Sequence, residues 1–224
     1  MKLNDETLRF IHEHCKDDVR NLALQAPKYP GVDMPVALTQ IAGRQAAAEK
    51  IPSWYAEEGI LYPRHLSLEQ CSSEATARYK ASIIPEFSSG TLADLTGGFG
   101  IDCAFLSPKF HHVTYVERQE VLCEIASHNF PLLALNHIRI ENKDAIRHLQ
   151  EMSSADWIFI DPARRDGHGG KTVAIADCEP NVAELESLLL EKAQHVMVKL
   201  SPHARLVFGY SGFKVRTGST ILFL

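Results

Sequence analysis

No stretch of this sequence approaches the roughly 18 apolar residues in a row that read as a membrane span, and its opening, MKLNDETLRF, has no apolar signal core. Both absences predict a cytoplasmic protein with no membrane partner. Cysteine is sparse: Cys15, Cys71, Cys103, Cys123 and Cys178 are odd in number, scattered and never in a C-x-x-C pair. That excludes a disulfide framework, predicts reduced thiols and argues against a zinc site. His12 and His14 in HEH, and His111 and His112 in HH, have no further ligand at metal spacing, so no metal is expected. Excess positive charge is missing too. With 23 Lys and Arg against 28 Asp and Glu the formal net charge is -5, so contact with nucleic acid must use a local patch. Internal repeats and low-complexity segments are also lacking. What remains is 224 residues, 45% hydrophobic and 23% charged, enough for one domain plus a smaller one.

The two halves differ in pattern. Residues 1–88 are helical and strand-poor. Asn4 and Asp5 can cap a helix whose apolar positions Leu8, Ile11, Cys15, Val19 and Leu22 form one buried face. PKYPGVDMP breaks it. Pro35 suits the first turn of a second helix, closed by Pro52, and Ser72 or Ser73 can cap a third that runs to about Ile84. From 89 to 224 short apolar strands alternate with helical stretches: TLADLT, HVTYVE, IRIEN, WIFID and HVMVKL, then a hairpin within FKVRTGSTILFL. Parallel neighbours need crossover connections, so this alternation predicts a doubly wound, mostly parallel α/β sheet.

In such folds ligands bind beyond the carboxyl ends of the strands. There the sequence places Asp94 with Gly97, Gly98 and Gly100, then Glu117, Asp144, DPARR and KLSP. Glu117 lies about 20 residues past Gly97, the interval at which an acid returns beside the first strand and can accept both ribose hydroxyls. The turn TGGFGID lacks the third small residue of G-x-G-x-x-G, which disfavours a dinucleotide. Asp94 would repel a pyrophosphate, but it could favour the ammonium group of a methionine-bearing cofactor.

With DPAR added, Leu92 to Pro202 resembles the class I S-adenosylmethionine-dependent methyltransferases. LSLEQCSSEATARYK, DLTGGFGID and DPARRD together resemble bacterial methyltransferase-like proteins that usually carry a THUMP-like, RNA-binding region after the catalytic domain. The sequence stops at Leu224, so that region is expected to be missing and the methyltransferase domain, 89–224, to be shortened at its C-terminus. The resemblance implies S-adenosyl-L-methionine as cofactor and RNA as substrate. It implies cofactor contacts from Asp94, Thr96, Gly97, Gly98, Gly100, Glu117, Arg118, Asp144, Ala145 and Asp161. Asp161, Pro162 and Lys199 would be catalytic, and Arg164, Arg165 and Lys171 would form a basic loop for substrate phosphate. Gln70, Ser73, Thr76 and Lys80 lie where related enzymes close over the cofactor.

Each assignment has a structural competitor. Asp94 can bond its own loop amides, Asp144 can cap AIRHLQEM, and Lys80 can lie on a solvated face. Amino-group methyltransferases follow D/N-P-P with an aromatic, where Ala163 and Arg164 stand here. Uracil-C5 enzymes need a cysteine where this sequence has Ser201. Ribose 2′-O-methyltransferases pair an aspartate with a lysine, which Asp161 and Lys199 match in kind. A catalytically silent cofactor-binding module and a small-molecule or protein methyltransferase remain as alternatives.

Overall fold

A computed structural model of the chain describes residues 3–85, 90–164, 173–174, 178–200, 204–205, 213–216 and 219–224. It divides into two compact units. One comprises residues up to Ile83 with Gly98–Leu106 and Glu120–Asn136; the other comprises Ile84–Gly97, Ser107–Gln119 and the described residues from His137 onward.

The first unit holds α1 (Asp5–Glu13), α2 (Val19–Leu24), α3 (Met34–Lys50), α4 (Pro52–Ala56), α5 (His65–Gln70), α6 (Glu74–Ile83), α7 (Ile101–Leu106) and α8 (Glu120–Leu132). Asn4 caps α1 by accepting the N–H of Thr7 at 2.7 Å. The expected single helix over 5–22 is instead two. Asp18 accepts the N–H of Asn21 at 2.9 Å and starts α2 afresh, because a capping carboxylate offers the backbone an alternative to continuing the earlier ladder. The buried face changes with the break. Phe10 and Leu22 pack with Met34, Ala37 and Ile41 of α3, whereas Leu8 is 48% exposed. Pro35 lies in the first turn of α3, and Pro52 opens α4 directly after it. The N–H of Thr76 meets the Ser73 hydroxyl at the start of α6.

The second unit is built on a sheet. Its strands are β1 (Thr91–Asp94), β2 (His112–Glu117), β3 (Ile138–Asn142), β4 (Ala155–Ile160), β8 (Ala193–Val198), β10 (Phe213–Arg216) and β11 (Ser219–Phe223), ordered β10-β11-β8-β4-β1-β2-β3. Every pairing is parallel except the β10–β11 hairpin. The short pairs β5 (Ala163–Arg164) with β7 (Cys178–Glu179), and β6 (Val173–Ala174) with β9 (Ala204–Arg205), lie outside it. Helices α9 (Ala145–Glu151) and α10 (Val182–Lys192) contribute Leu149, Val182 and Leu189 to a core with Val116, Ile158, Ile160 and Val196 of the sheet. β1 is flanked by β2 on one side and β4 on the other, so chain order reverses there. Such a reversal opens a crevice at the carboxyl ends of the strands.

The amino ends of β1 and β4 are tied as well. Asp156 accepts the N–H and hydroxyl of Thr91 at 2.7 and 2.9 Å, and its own N–H reaches the Thr91 hydroxyl at 3.0 Å. These bonds, the Thr91 N–H foremost, hold the Asp156 carboxyl below its ordinary range.

Candidate functional site

The sheet brings the predicted strand-end residues of the second unit to one edge. Asp94 ends β1 and is fully buried, its Oδ1 accepting the N–H of Thr96 at 3.0 Å. Glu117 ends β2, 8% exposed, with Oε1 accepting the N–H of Gln119 at 2.8 Å. Each carboxylate thus braces its own turn, the competing structural reading for Asp94.

Backbone bonds continue past the strand ends and fix this edge. Leu95 donates to Phe159 at 3.0 Å, Gly97 to Val116 at 2.8 Å, and Lys199 to Ile160 at 2.9 Å. Gly97 has a packing reason to be glycine. A Cβ there would lie 2.1 Å from Cε2 of the buried Tyr115 ring.

Asp161 directly follows β4. Its N–H donates to the Thr96 hydroxyl at 2.6 Å, and its carboxylate meets Lys199 Nζ, directly after β8, at 2.5 Å. The Asp161 and Lys199 side chains are 31% and 22% exposed, so the pair is partly shielded from solvent. Pro162 is buried and directly precedes β5. Asp144 caps α9, accepting the N–H groups of Ile146 and Arg147 at 3.0 Å each, and Ala145 is the first residue of that helix. Arg118 is ion-paired with Glu179 of β7 at 2.8 Å. Both side chains are well exposed, so this pair adds little to stability. Of the basic loop, Arg164 lies in β5, while Arg165 and Lys171 lie outside the described residues.

Two buried carboxylates thus end the adjacent strands β1 and β2, and an Asp–Lys pair follows β4 and β8. They would repel a pyrophosphate.

Gly98 and Gly100 belong to the first unit, with φ of 56° and 90°, a conformation that favours glycine. Phe99 between them is buried edge-on against Trp54, with ring centroids 5.0 Å apart, and tilted against Tyr62 at 6.2 Å. Gln40 grips the Tyr62 backbone through both halves of its amide, at 2.8 and 2.9 Å. Lys80, read from sequence as a cofactor-closing or solvated residue, is 1% exposed. It pairs with Asp102 of α7 at 2.5 Å and donates to Ser72 at 2.7 Å. Ser72 in turn donates to Asp102 at 2.8 Å. Gln70 stays exposed, and the hydroxyls of Ser73 and Thr76 lie 2.9 Å apart.

Sequence reasoning did not identify Asp102, Phe99 or Tyr115. A lone Asp in GGFGID offers no local signal of a partner 22 positions upstream.

No protein-family model and no curated protein matches the chain. Among solved structures it is similar to a candidate methyltransferase from Porphyromonas gingivalis W83, with 29% identity, a TM-score of 0.72, and an alignment covering 91% of this chain and 51% of that one. This chain therefore spans about half the length of that protein. A candidate RNA methyltransferase from Pyrococcus horikoshii aligns over 68% of this chain and 71% of its own at 13% identity, with a TM-score of 0.44, too distant to carry an argument. Among the described residues no helix is long and apolar enough to cross a membrane. The chain has the Rossmann-like fold of class I methyltransferases, a mostly parallel sheet preceded by a helical N-terminal region.

Proposed function

We propose that this chain is an S-adenosylmethionine-dependent methyltransferase acting on RNA. The observation that carries the reading is the gathering of Asp94, Glu117 and Asp161 at the carboxyl edge of the adjacent strands β2, β1 and β4. S-Adenosylmethionine supplies an electrophilic methyl group on a sulfonium.

Glu117 accepts the ribose hydroxyls, and Asp94 neutralises the ammonium end, with Thr96 beside it. Gly97, Gly98 and Gly100 line the methionine part, while Asp144, Ala145 and Arg118 border the adenosine. Asp161 and Pro162 orient the acceptor, and Lys199 holds the Asp161 carboxylate in one rotamer. Orientation of this kind removes much of the entropic barrier to a bimolecular transfer. Arg164, Arg165 and Lys171 meet substrate phosphate. With a formal net charge of -5, the chain relies on that short basic stretch for RNA affinity.

The RNA reading rests on Arg164 and Arg165, which follow Pro162 and suit phosphate. Mass analysis of RNA from cells with and without the gene tests it. A modified nucleoside present only with the gene supports the proposal. If all RNA is unchanged while a metabolite or protein loses its methyl group, the substrate class is wrong.

A further inference from the structure

We infer that the buried Lys80–Ser72–Asp102 triad is a positioning device for the glycine segment Gly98–Gly100, and through it sets affinity for the methyl donor. The second clause rests on the cofactor reading above.

Asp102 Oδ2 accepts the Ser72 hydroxyl at 2.8 Å, and Oδ1 lies 2.5 Å from the Lys80 ammonium as an ion pair. The Lys80–Ser72 bond at 2.7 Å closes the triangle. The hydrogen bond and the ion pair together anchor the Asp102 side chain, and with it the first turn of α7. Ala104 donates to the carbonyl of Gly100 at 2.9 Å, so that turn and the glycine segment form one hydrogen-bonded piece. Phe99, seated against Trp54 and Tyr62, pins the same segment one residue earlier. Gly98 and Gly100 keep positive φ between these two anchors.

Stability alone does not account for a charged triad here. Apolar side chains of similar volume commonly replace buried ion pairs with neutral or favourable effect, whereas removing one partner strands a charge. What apolar packing does not reproduce is direction.

The variants are Ser72→Ala/Lys80→Met/Asp102→Leu, which makes the site apolar, and Lys80→Met/Asp102→Asn, which removes both charges and keeps the shape of Asp102. Melting temperature, calorimetric titration with S-adenosylhomocysteine, and amide hydrogen exchange without ligand are measured on each. The triple variant is expected to melt near the wild type, to bind S-adenosylhomocysteine at least about tenfold more weakly, and to exchange amides 98–104 at least about tenfold faster while α3 is unchanged. Lys80→Met/Asp102→Asn is expected to show the same local exchange if the triple variant does not fold. Unchanged exchange over 98–104, or unchanged affinity in a folded variant, overturns the inference. Should the wild type itself not bind S-adenosylhomocysteine, the cofactor reading fails, and the exchange data alone decide whether the triad positions the segment.

Discussion

The hydroxyl of Thr96, two residues past β1, accepts the backbone N–H of Asp161, the first residue past β4, at 2.6 Å. One side chain thereby carries the pairing of β1 and β4 beyond both strands and fixes the backbone from which the Asp161 carboxylate projects to Lys199. Thr96→Val keeps the shape and removes the acceptor. It should lower unfolding free energy by about 1 to 2 kcal/mol, the cost of an unmet partly buried donor, read as a reduced urea midpoint. Thr96→Ser should restore it.

Gly97→Ala should be destabilising for a reason unrelated to any ligand. The new Cβ would sit 2.1 Å from the Tyr115 ring, which is fully buried. Overpacking of this kind costs about 1 to 3 kcal/mol. The melting temperature should fall, and Tyr115→Leu in the same chain should recover part of it.

The strands and their ends were legible in the sequence because short apolar runs between polar turns have few other interpretations. TLADLT, HVTYVE, IRIEN, WIFID and HVMVKL overlap β1, β2, β3, β4 and β8. Asp94, Glu117, Asp161 and Lys199 follow from the strand ends alone. The break at Asp18 was not legible, since the three-and-four spacing runs through it and only a capping bond decides the outcome. The solvated-face reading of Lys80 fails for a related reason. Lysine is rarely buried without a partner, and its partner Asp102 lies on a helix that the sequence does not place beside α6. The packing role of Gly97 depends on Tyr115, which is likewise distant in sequence.

Asp156 should make part of the stability pH-dependent. Its carboxyl is held below the ordinary range by the Thr91 N–H and hydroxyl, so its contribution is present above the unfolded pKa, about 4, and is lost as pH falls through the lower folded value. Asp156→Ala should therefore cost about 1 kcal/mol at pH 7, discounted for its partial exposure. The difference from wild type should shrink as pH falls below the unfolded value and through the lower folded one. A gap independent of pH would assign the loss to packing rather than to the carboxylate.

Asp161→Asn should separate transfer from binding. Loss of a placed charge near the reacting atoms commonly slows a reaction by about 10²-fold or more, while S-adenosylhomocysteine affinity should stay within about threefold, under 1 kcal/mol. Equal losses in both would make Asp161 a cofactor ligand. An unchanged rate would favour a catalytic route that does not use this strand end.

The central claim, that buried acids at the ends of β1 and β2 hold a methyl-donor nucleoside, is tested most directly by calorimetric titration of the wild type and Glu117→Ala with S-adenosylhomocysteine and with NADH. The wild type should bind S-adenosylhomocysteine and not NADH. Glu117→Ala should stay folded and bind about 1 to 3 kcal/mol more weakly, the cost of losing charge-assisted hydrogen bonds. Binding of NADH without S-adenosylhomocysteine, or wild-type affinity in a folded Glu117→Ala, would contradict it.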